Sequence, residues 1–236
     1  MTKKKEWFAS WFDTSYYHIL YKDRNHTEAQ NFMQNLVSFL KLPKNSLLLD
    51  LACGKGRHSI YLNSLGYQVV GADLSKNSIK KAKKHENETL HFFEHDMRNP
   101  FDTKFDVIFN LFTSFGFFED DNEDINVLQN IKNGLATNGV AIIDFINAKK
   151  VMSNLVPEEI KTINDITFKM NRYIDNGFIV KEINFDADGE HHTYFEKVKS
   201  LDLEKINSYV KAVGFNIKHT FGNYQLEDFN EETSDR

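Results

Sequence analysis

The sequence predicts an α/β fold in which a doubly wound, mostly parallel sheet is followed by an antiparallel β-meander. Apolar runs without alternation, such as Leu47–Leu51 and Val69–Ala72, are typical of parallel strands buried on both faces. Helical patterns separate these runs, as parallel strands require. After Pro157 the runs alternate and are joined by Asn-Gly and Asp-Gly, which are strong hairpin signals. We therefore place the meander after the fifth strand of the sheet.

The chain of 236 residues is predicted to form a single domain, because no proline-rich or low-complexity linker divides it. We expect an N-terminal aromatic arm and helix over residues 1–41 and a ligand-binding core over residues 42–150. The meander is placed over residues 157–200, and a last helix and strand over residues 201–221.

Composition narrows the range of partners. A net charge of −5 argues against a general nucleic-acid binder. One cysteine leaves no disulfide framework within the chain, which favours the cytoplasm. No apolar run approaches the ~20 residues of a membrane helix, and His191 and His192 lack further metal ligands nearby. We expect a small-molecule substrate, with no nucleic acid, membrane or metal, and leave the oligomeric state open, with a dimer as one alternative.

The stretch from Leu47 to Ser75 has the organisation of a nucleotide site. Asp50 lies near the end of the first strand, a glycine turn follows over residues 52–56, and a helix leads to a second strand that ends on Asp73. Glycines let a ligand approach the backbone, and the first amides of the helix can meet a polar group. Asp73 can accept hydrogen bonds from two ribose hydroxyls, as an acid does in dinucleotide folds.

The details of this stretch separate two classes of cofactor. Nicotinamide and flavin sites carry G-x-G-x-x-G, and the third glycine is missing after Gly54 and Gly56. Asp50 would also repel a pyrophosphate, whereas it suits the ammonium and sulfonium of S-adenosylmethionine. Asp50-x-Ala52-x-Gly54-x-Gly56 resembles the first motif of the class I S-adenosylmethionine-dependent methyltransferases. The resemblance implies a Rossmann-like sheet and S-adenosylmethionine as the cofactor.

The resemblance also implies contacts beyond the glycine turn. In this family an acid after the third strand accepts the adenine amino group and the next backbone N–H meets the ring; Asp96 and Met97 occupy those positions. Asn110, near the end of the fourth strand, is expected to face the site. The expected cofactor-binding residues are Asp50, Ala52, Cys53, Gly54, Gly56, Asp73, Leu74, Asp96, Met97 and Asn110.

The aromatic arm over residues 7–21 has two interpretations. It packs on the core, or it forms a lid whose rings cover the cofactor, since aromatic faces attract cations. The arm resembles that of a group of bacterial methyltransferases in this class, and the resemblance makes Tyr17 and Tyr21 candidates to touch cofactor or substrate. Ser114 and Phe115, in the loop after the fourth strand, are the other candidates. This loop lacks the N-P-P-Y motif of enzymes that methylate bases or glutamine amides.

The expected activity is methyl transfer from S-adenosylmethionine to an unidentified small-molecule acceptor. The electrophile is already activated, so the protein mainly positions and desolvates two reactants. No side chain stands out as a general base, and the catalytic residues stay unassigned. Two alternatives stay open: a protein that binds S-adenosylmethionine without transferring its methyl group, and a nicotinamide dehydrogenase, against which the missing glycine and Asp50 argue.

The C-terminal part departs from the family pattern. Phe215–Phe221 alternates as an edge strand would, but the family normally adds one more antiparallel strand. The polar residues after Phe221 do not predict it. We expect the sequence to stop before that strand or to lack it, which would leave a strand edge exposed.

Overall fold

The computed structural model of the protein describes residues 6–22 and 26–236. Residues 1–5 and 23–25, which belong to the predicted arm and to its connection with the next helix, lie outside the described residues. The helices are α1 (Trp7–Trp11), α2 (Ser15–Leu20), α3 (His26–Leu40), α4 (Arg57–Ser64), α5 (Lys76–Ala82), α6 (Asp121–Gly134), α7 (Ala148–Ser153) and α8 (Leu203–Ala212). Within the described ranges, no helix combines the length and apolar composition needed to cross a membrane.

The first five strands form a parallel sheet in the order β3-β2-β1-β4-β5. They are β1 (Leu47–Leu51), β2 (Gln68–Asp73), β3 (Leu90–Glu94), β4 (Phe105–Asn110) and β5 (Leu135–Ile143). Side chains of β1 alternate between two apolar clusters: Leu48 packs with α3, α4 and α5, and Leu49 packs with α1, α6 and α8. Helices therefore cover both faces, which confirms the doubly wound sheet and explains the unbroken apolar runs.

A phenylalanine on β3 packs the glycine turn against the sheet. Phe92 pairs in register with Gly71 of β2, and a Cβ atom on Gly71 would lie 2.4 Å from the Phe92 ring. A Cβ atom on Gly56 would lie 2.6 Å from the same ring. The ring thus occupies space that two glycines leave, one in the strand and one in the turn.

The meander forms a second, antiparallel sheet in the order β6-β7-β8-β9, which is the predicted insertion after the fifth strand. Its strands are β6 (Glu158–Ile163), β7 (Ile166–Asp175), β8 (Phe178–Ala187) and β9 (Glu190–Lys199). Two-residue turns join them at Asn164-Asp165, Asn176-Gly177 and Asp188-Gly189, and every turn residue has positive φ, as type I′ turns require. Sequence reasoning missed β6, because its turn has no glycine.

The aromatic arm folds as α1 and α2 and packs on the meander. Trp11 is fully buried in an apolar cluster with Phe168 and Met170 of β7 and Ile183 and Phe185 of β8. The arm therefore does pack on apolar residues, although on those of the meander as well as those of the parallel sheet.

The predicted strand at Phe215–Phe221 does not form, which corrects the sequence-based expectation. An isolated bridge between Phe221 and Asp228 is the extent of pairing there among the described residues. The alternating pattern has another cause: His219 and Phe221 both pack edge-on against Phe39 of α3, with ring centroids 4.9 and 5.1 Å apart. Alternation here reflects contact with a helix and not with a neighbouring strand.

We predict that Gly71→Ala lowers the free energy of unfolding by about 1–3 kcal/mol, because the added methyl overpacks against the Phe92 ring. Chemical denaturation measures the change. Phe92→Leu should relieve this overlap, so the double variant should be more stable than the sum of the two single costs predicts. Strictly additive costs, or an unchanged stability of Gly71→Ala, would contradict the packing described.

Candidate functional site

A cavity of about 790 Å³ lies at the carboxyl ends of the parallel strands, beneath the arm and beside the meander. The glycine turn, the loop after β4, helices α1 and α2, and strands β8 and β9 contribute to its walls. Ligand pockets commonly measure ~300–1,000 Å³. Open parallel sheets bind their ligands at this edge, so the cavity is the candidate functional site.

The backbone of the glycine turn shapes one wall. The amide of Cys53 donates to the carbonyl of Ala72 on β2 at 3.1 Å, which ties the turn to the neighbouring strand. Gly54 has a φ of +57°, and a Cβ atom added there would meet nothing within 4 Å. Gly54 therefore leaves open space on the cavity side, whereas Gly56 serves helix packing and does not line the cavity.

Asp73, at the end of β2, lines the cavity beside the turn. One carboxylate oxygen accepts from the amide of Gly54 and the other from the amide of Ser75, each at 2.8 Å. A carboxylate has about four acceptor sites, so about two remain for a ligand with neighbouring donors. Burial raises the pKa of Asp73 and outweighs these two hydrogen bonds.

Asp50 lies beneath the turn and does not line the cavity. It is 2% exposed, and its Oδ2 accepts from the amide and the hydroxyl of Ser59 at 3.1 and 2.5 Å. Burial raises the pKa of Asp50 to about 6, although the hydrogen bonds from Ser59 lower it. Asp50 would therefore act on a ligand through its charge, from behind the turn and without direct contact.

Asn110 is fully buried at the end of β4 and also does not line the cavity. Its Nδ2 donates to the carbonyl of Leu51 at 3.2 Å, which links β4 to β1. Its Oδ1 has no hydrogen-bond partner among the described residues. Asn110 was expected to face the site, but its side chain does not line the cavity.

Asp96 and Met97 line the cavity, and Arg98 behind them forms an ion-pair network that sequence reasoning missed. The guanidinium contacts Asp96 at 2.7 Å and both Glu6 and Glu123 at 2.8 Å. Burial raises the pKa of Asp96, but the Arg98 hydrogen bonds outweigh it and hold that pKa below its usual value. The network fastens the start of the arm to this wall.

The loop after β4 lines the cavity in a strained conformation. Phe112 and Thr113 have φ values of +55° and +57°, which are uncommon for residues other than glycine. Asp144 holds both: its carboxylate accepts from the Phe112 amide at 2.6 Å and its carbonyl from the Thr113 amide at 3.2 Å. The Arg236 guanidinium binds the same carboxylate at 2.7 Å. The loop is therefore fixed from outside the cavity.

The two candidate substrate-contacting residues in this loop, Ser114 and Phe115, lie in different places. Ser114 lines the cavity and donates its hydroxyl to the carbonyl of Leu111. Phe115 is 2% exposed and packs in the apolar cluster with Phe8 and Phe145. The expectation that Phe115 shapes the substrate pocket is thus wrong, because its side chain fills the core instead.

The opposite wall comes from the arm and the meander. Tyr17 and Tyr21 line it as expected, together with Lys181 and Glu196, which sequence reasoning missed. Glu196 accepts from Trp11 Nε1 at 2.8 Å, from the Tyr21 hydroxyl at 2.7 Å and from Lys181 Nζ at 3.1 Å. Burial raises the pKa of Glu196, but Lys181 and the hydrogen bonds outweigh it and hold that pKa below its usual value. The carboxylate stays charged.

Most of the predicted site residues come together at this cavity. Those that line it are Ala52, Cys53, Gly54, Asp73, Leu74, Asp96, Met97, Tyr17, Tyr21 and Ser114. Cys53 is a buried free thiol whose pKa burial raises well above its usual value, so it is not a ready nucleophile. The predicted residues outside the lining are Asp50, Gly56, Asn110 and Phe115.

Known proteins resemble this chain in sequence. Residues 48–139 match the family model described as a methyltransferase domain. YqeM of Bacillus subtilis (strain 168), a protein described as a methyltransferase, is 25% identical over 188 residues, which cover 75% of this chain and 76% of YqeM.

Solved structures share the fold. An S-adenosylmethionine-dependent methyltransferase from Clostridium acetobutylicum ATCC 824 aligns with a TM-score of 0.76 at 19% identity, over 93% of this chain and 92% of its own. CalS10 from Micromonospora echinaspora, an amino pentose methyltransferase with S-adenosylmethionine bound, aligns with a TM-score of 0.69 at 18% identity, over 89% of this chain and 92% of its own.

The residues around the cavity fit S-adenosylmethionine. Open space beside Gly54 admits a ligand against the backbone, and the remaining acceptor sites of Asp73 suit a pair of ribose hydroxyls. Asp50 supplies a negative charge behind the turn for a ligand that carries positive charge. Residues 48–139 are thus a methyltransferase domain, and the chain shares the fold of the S-adenosylmethionine-dependent methyltransferases.

Proposed function

We propose that this protein transfers the methyl group of S-adenosylmethionine to a small-molecule acceptor. The observation that carries the proposal is one continuous cavity that extends from Gly54 and Asp73 to Tyr21 and Lys181. A cofactor held at the glycine turn would leave the arm and meander end for a second reactant. The amino pentose named for CalS10 supports an acceptor of small size.

In this proposal the cofactor lies along the ends of β1, β2 and β3. Asp73 accepts the ribose hydroxyls, and the backbone of residues 52–54 borders the methionine part. Leu74, Asp96 and Met97 border the adenine. The Arg98 guanidinium already occupies both oxygens of Asp96, so an adenine amino group would share that carboxylate with it.

The protein's contribution to the reaction is positioning and exclusion of water. Bound S-adenosylmethionine supplies an activated methyl group on a sulfonium. Trp7, Phe12 and Tyr17 of the arm line the cavity and keep solvent from it, and the loop fixed by Asp144 borders the same space. Holding two reactants in line supplies much of the acceleration of such a displacement. We assign no general base, and we keep the cytoplasm as the proposed location on the single, buried cysteine.

A methyl-transfer screen of a metabolite library tests the function directly. We expect release of S-adenosylhomocysteine in the presence of at least one small molecule and of none without an acceptor. Tight binding of S-adenosylmethionine without turnover of any compound would instead favour a cofactor-binding protein that transfers no methyl group.

We predict that Gly54→Val abolishes S-adenosylmethionine binding, because the branched side chain enters the open space beside the turn. Calorimetry measures the affinity. Gly66→Val is the matched control: Gly66 also has positive φ and open space around its Cα, but it lies outside the cavity. Both variants should lose about 1–2 kcal/mol of stability from backbone strain. Equal binding by both folded variants would refute the placement.

We predict that binding of S-adenosylmethionine depends on the charge of Asp50. Its pKa of about 6 lies above the value of ~3.9 for a free aspartate, so the free protein holds a proton there at pH 5. Positive charge on the cofactor favours the ionised form. The dissociation constant should therefore fall by up to about tenfold between pH 5 and pH 7.5 and then level off.

Asp50→Asn removes this titration and should flatten the pH profile. Burial also raises the pKa of Asp73, and this carboxyl group is present in both wild type and variant. The difference between the two profiles therefore reports on Asp50. Identical slopes would mean that the cofactor does not sense this carboxylate.

A further inference from the structure

A row of charged side chains crosses the face of the meander that borders the cavity. Arg172 of β7 pairs directly with Lys181 of β8, and Lys181 pairs directly with Glu196 of β9. All three line the cavity. Side chains at directly paired positions point to the same side of an antiparallel sheet and lie side by side.

The rows on either side are apolar. On one side, Met170 of β7, Ile183 of β8 and Tyr194 of β9 form a row that packs with the arm. On the other side, the row consists of Ile174, Ile179 and Val198. Packing alone would favour a continuous apolar face here. Three charged side chains between two apolar rows therefore call for a reason other than packing.

Docking of the arm explains Glu196 and one contact of Lys181, which donates to the Tyr21 hydroxyl. Trp11 and Tyr21 of the arm both donate to Glu196. The Arg172 guanidinium binds Glu159 and the carbonyl of Val156, which both lie outside the arm. Arg172 and Lys181 are adjacent cations, and each forms an ion pair with one carboxylate, Glu159 and Glu196 respectively.

Both cations keep donor capacity toward the cavity. An ammonium has three N–H donors, and described residues accept two from Lys181: the Tyr21 hydroxyl at 2.6 Å and Glu196 at 3.1 Å. A guanidinium has five, and described residues accept two from Arg172. Glu159 lies outside the cavity lining, so the row presents two cations and one carboxylate to the cavity.

We propose that Arg172 and Lys181 bind an oxyanion group of the methyl acceptor, a carboxylate or a phosphate. The inference rests on the proposed function and adds the chemical class of the substrate. An anion between the two cations would take up their remaining N–H donors in charge-assisted hydrogen bonds, which guanidinium and ammonium groups both form with carboxylates and phosphates. The acceptor's nucleophile would then extend from the meander toward the cofactor end at Gly54 and Asp73.

The test uses matched compounds that differ in the oxyanion alone. Amino acids are compared with their amides, and amino-alcohol phosphates with the parent amino alcohols. Binding to the full-length protein saturated with S-adenosylhomocysteine is measured by calorimetry, and methyl transfer from radiolabelled S-adenosylmethionine is measured for each compound. We expect binding and turnover of anionic members at least tenfold above their neutral partners; which series responds identifies carboxylate or phosphate.

The variants Lys181→Met and Arg172→Met should each lower kcat/KM for the anionic acceptor at least tenfold, mainly through KM. Their affinity for S-adenosylmethionine should stay within about twofold of wild type. Lys181→Arg should restore most of the activity, because it keeps the charge. Lys169→Met is the matched control, since it removes the same charge from an exposed position on the other face of β7.

The outcomes separate this inference from the proposed function. If the wild-type protein does not bind S-adenosylmethionine, the proposed function itself is overturned. Cofactor binding with equal use of neutral and anionic acceptors, or with wild-type KM in both Met variants, would overturn the oxyanion site alone. Failure of every anionic compound to bind the cofactor-product complex or to be methylated would also overturn it.

Discussion

The carboxylate of Asp73 is the contact on which the site depends. It joins the glycine turn to the start of α5 by accepting from the amides of Gly54 and Ser75. The arm meets the same place, because Asp13 accepts from the hydroxyl of Ser75 at 2.6 Å and from the amide of Asn77 at 3.0 Å. The glycine turn, the start of α5 and the arm therefore meet at Asp73 and the neighbouring Ser75.

The two ends of the cavity are organised differently. At the turn, backbone geometry and buried carboxylates define a place for a cofactor that carries positive charge, and Phe92 keeps the turn on the sheet. At the meander, side chains from separate strands define the space, and their spacing follows from the strand register. A shift of one residue in the register would remove Lys181 from the cavity face. In the proposed function, cofactor binding therefore depends on the core sheet and the choice of acceptor on the meander.

The sequence predicted those features that local patterns determine. The bounds of β1 and β3, the turn after β1, Ser75 as the cap of α5 and two hairpin turns all follow from residues close together in the chain. Contacts between distant residues were missed. Arg98 meets Glu6 and Glu123, and Lys181 meets Tyr21 only after the arm docks. Phe115 was misplaced because an aromatic residue beside a site has the same pattern whether it faces the cavity or the core.

A crystal structure of the protein with S-adenosylhomocysteine would locate the cofactor site directly. We expect the nucleoside along the ends of β1 to β3, with both ribose hydroxyls within hydrogen-bond distance of the Asp73 carboxylate and the amino-acid part against Gly54. The thioether sulfur should face the space bounded by Tyr21 and Lys181. A ribose bound away from Asp73, or a nucleoside outside the cavity, would contradict this placement of the cofactor.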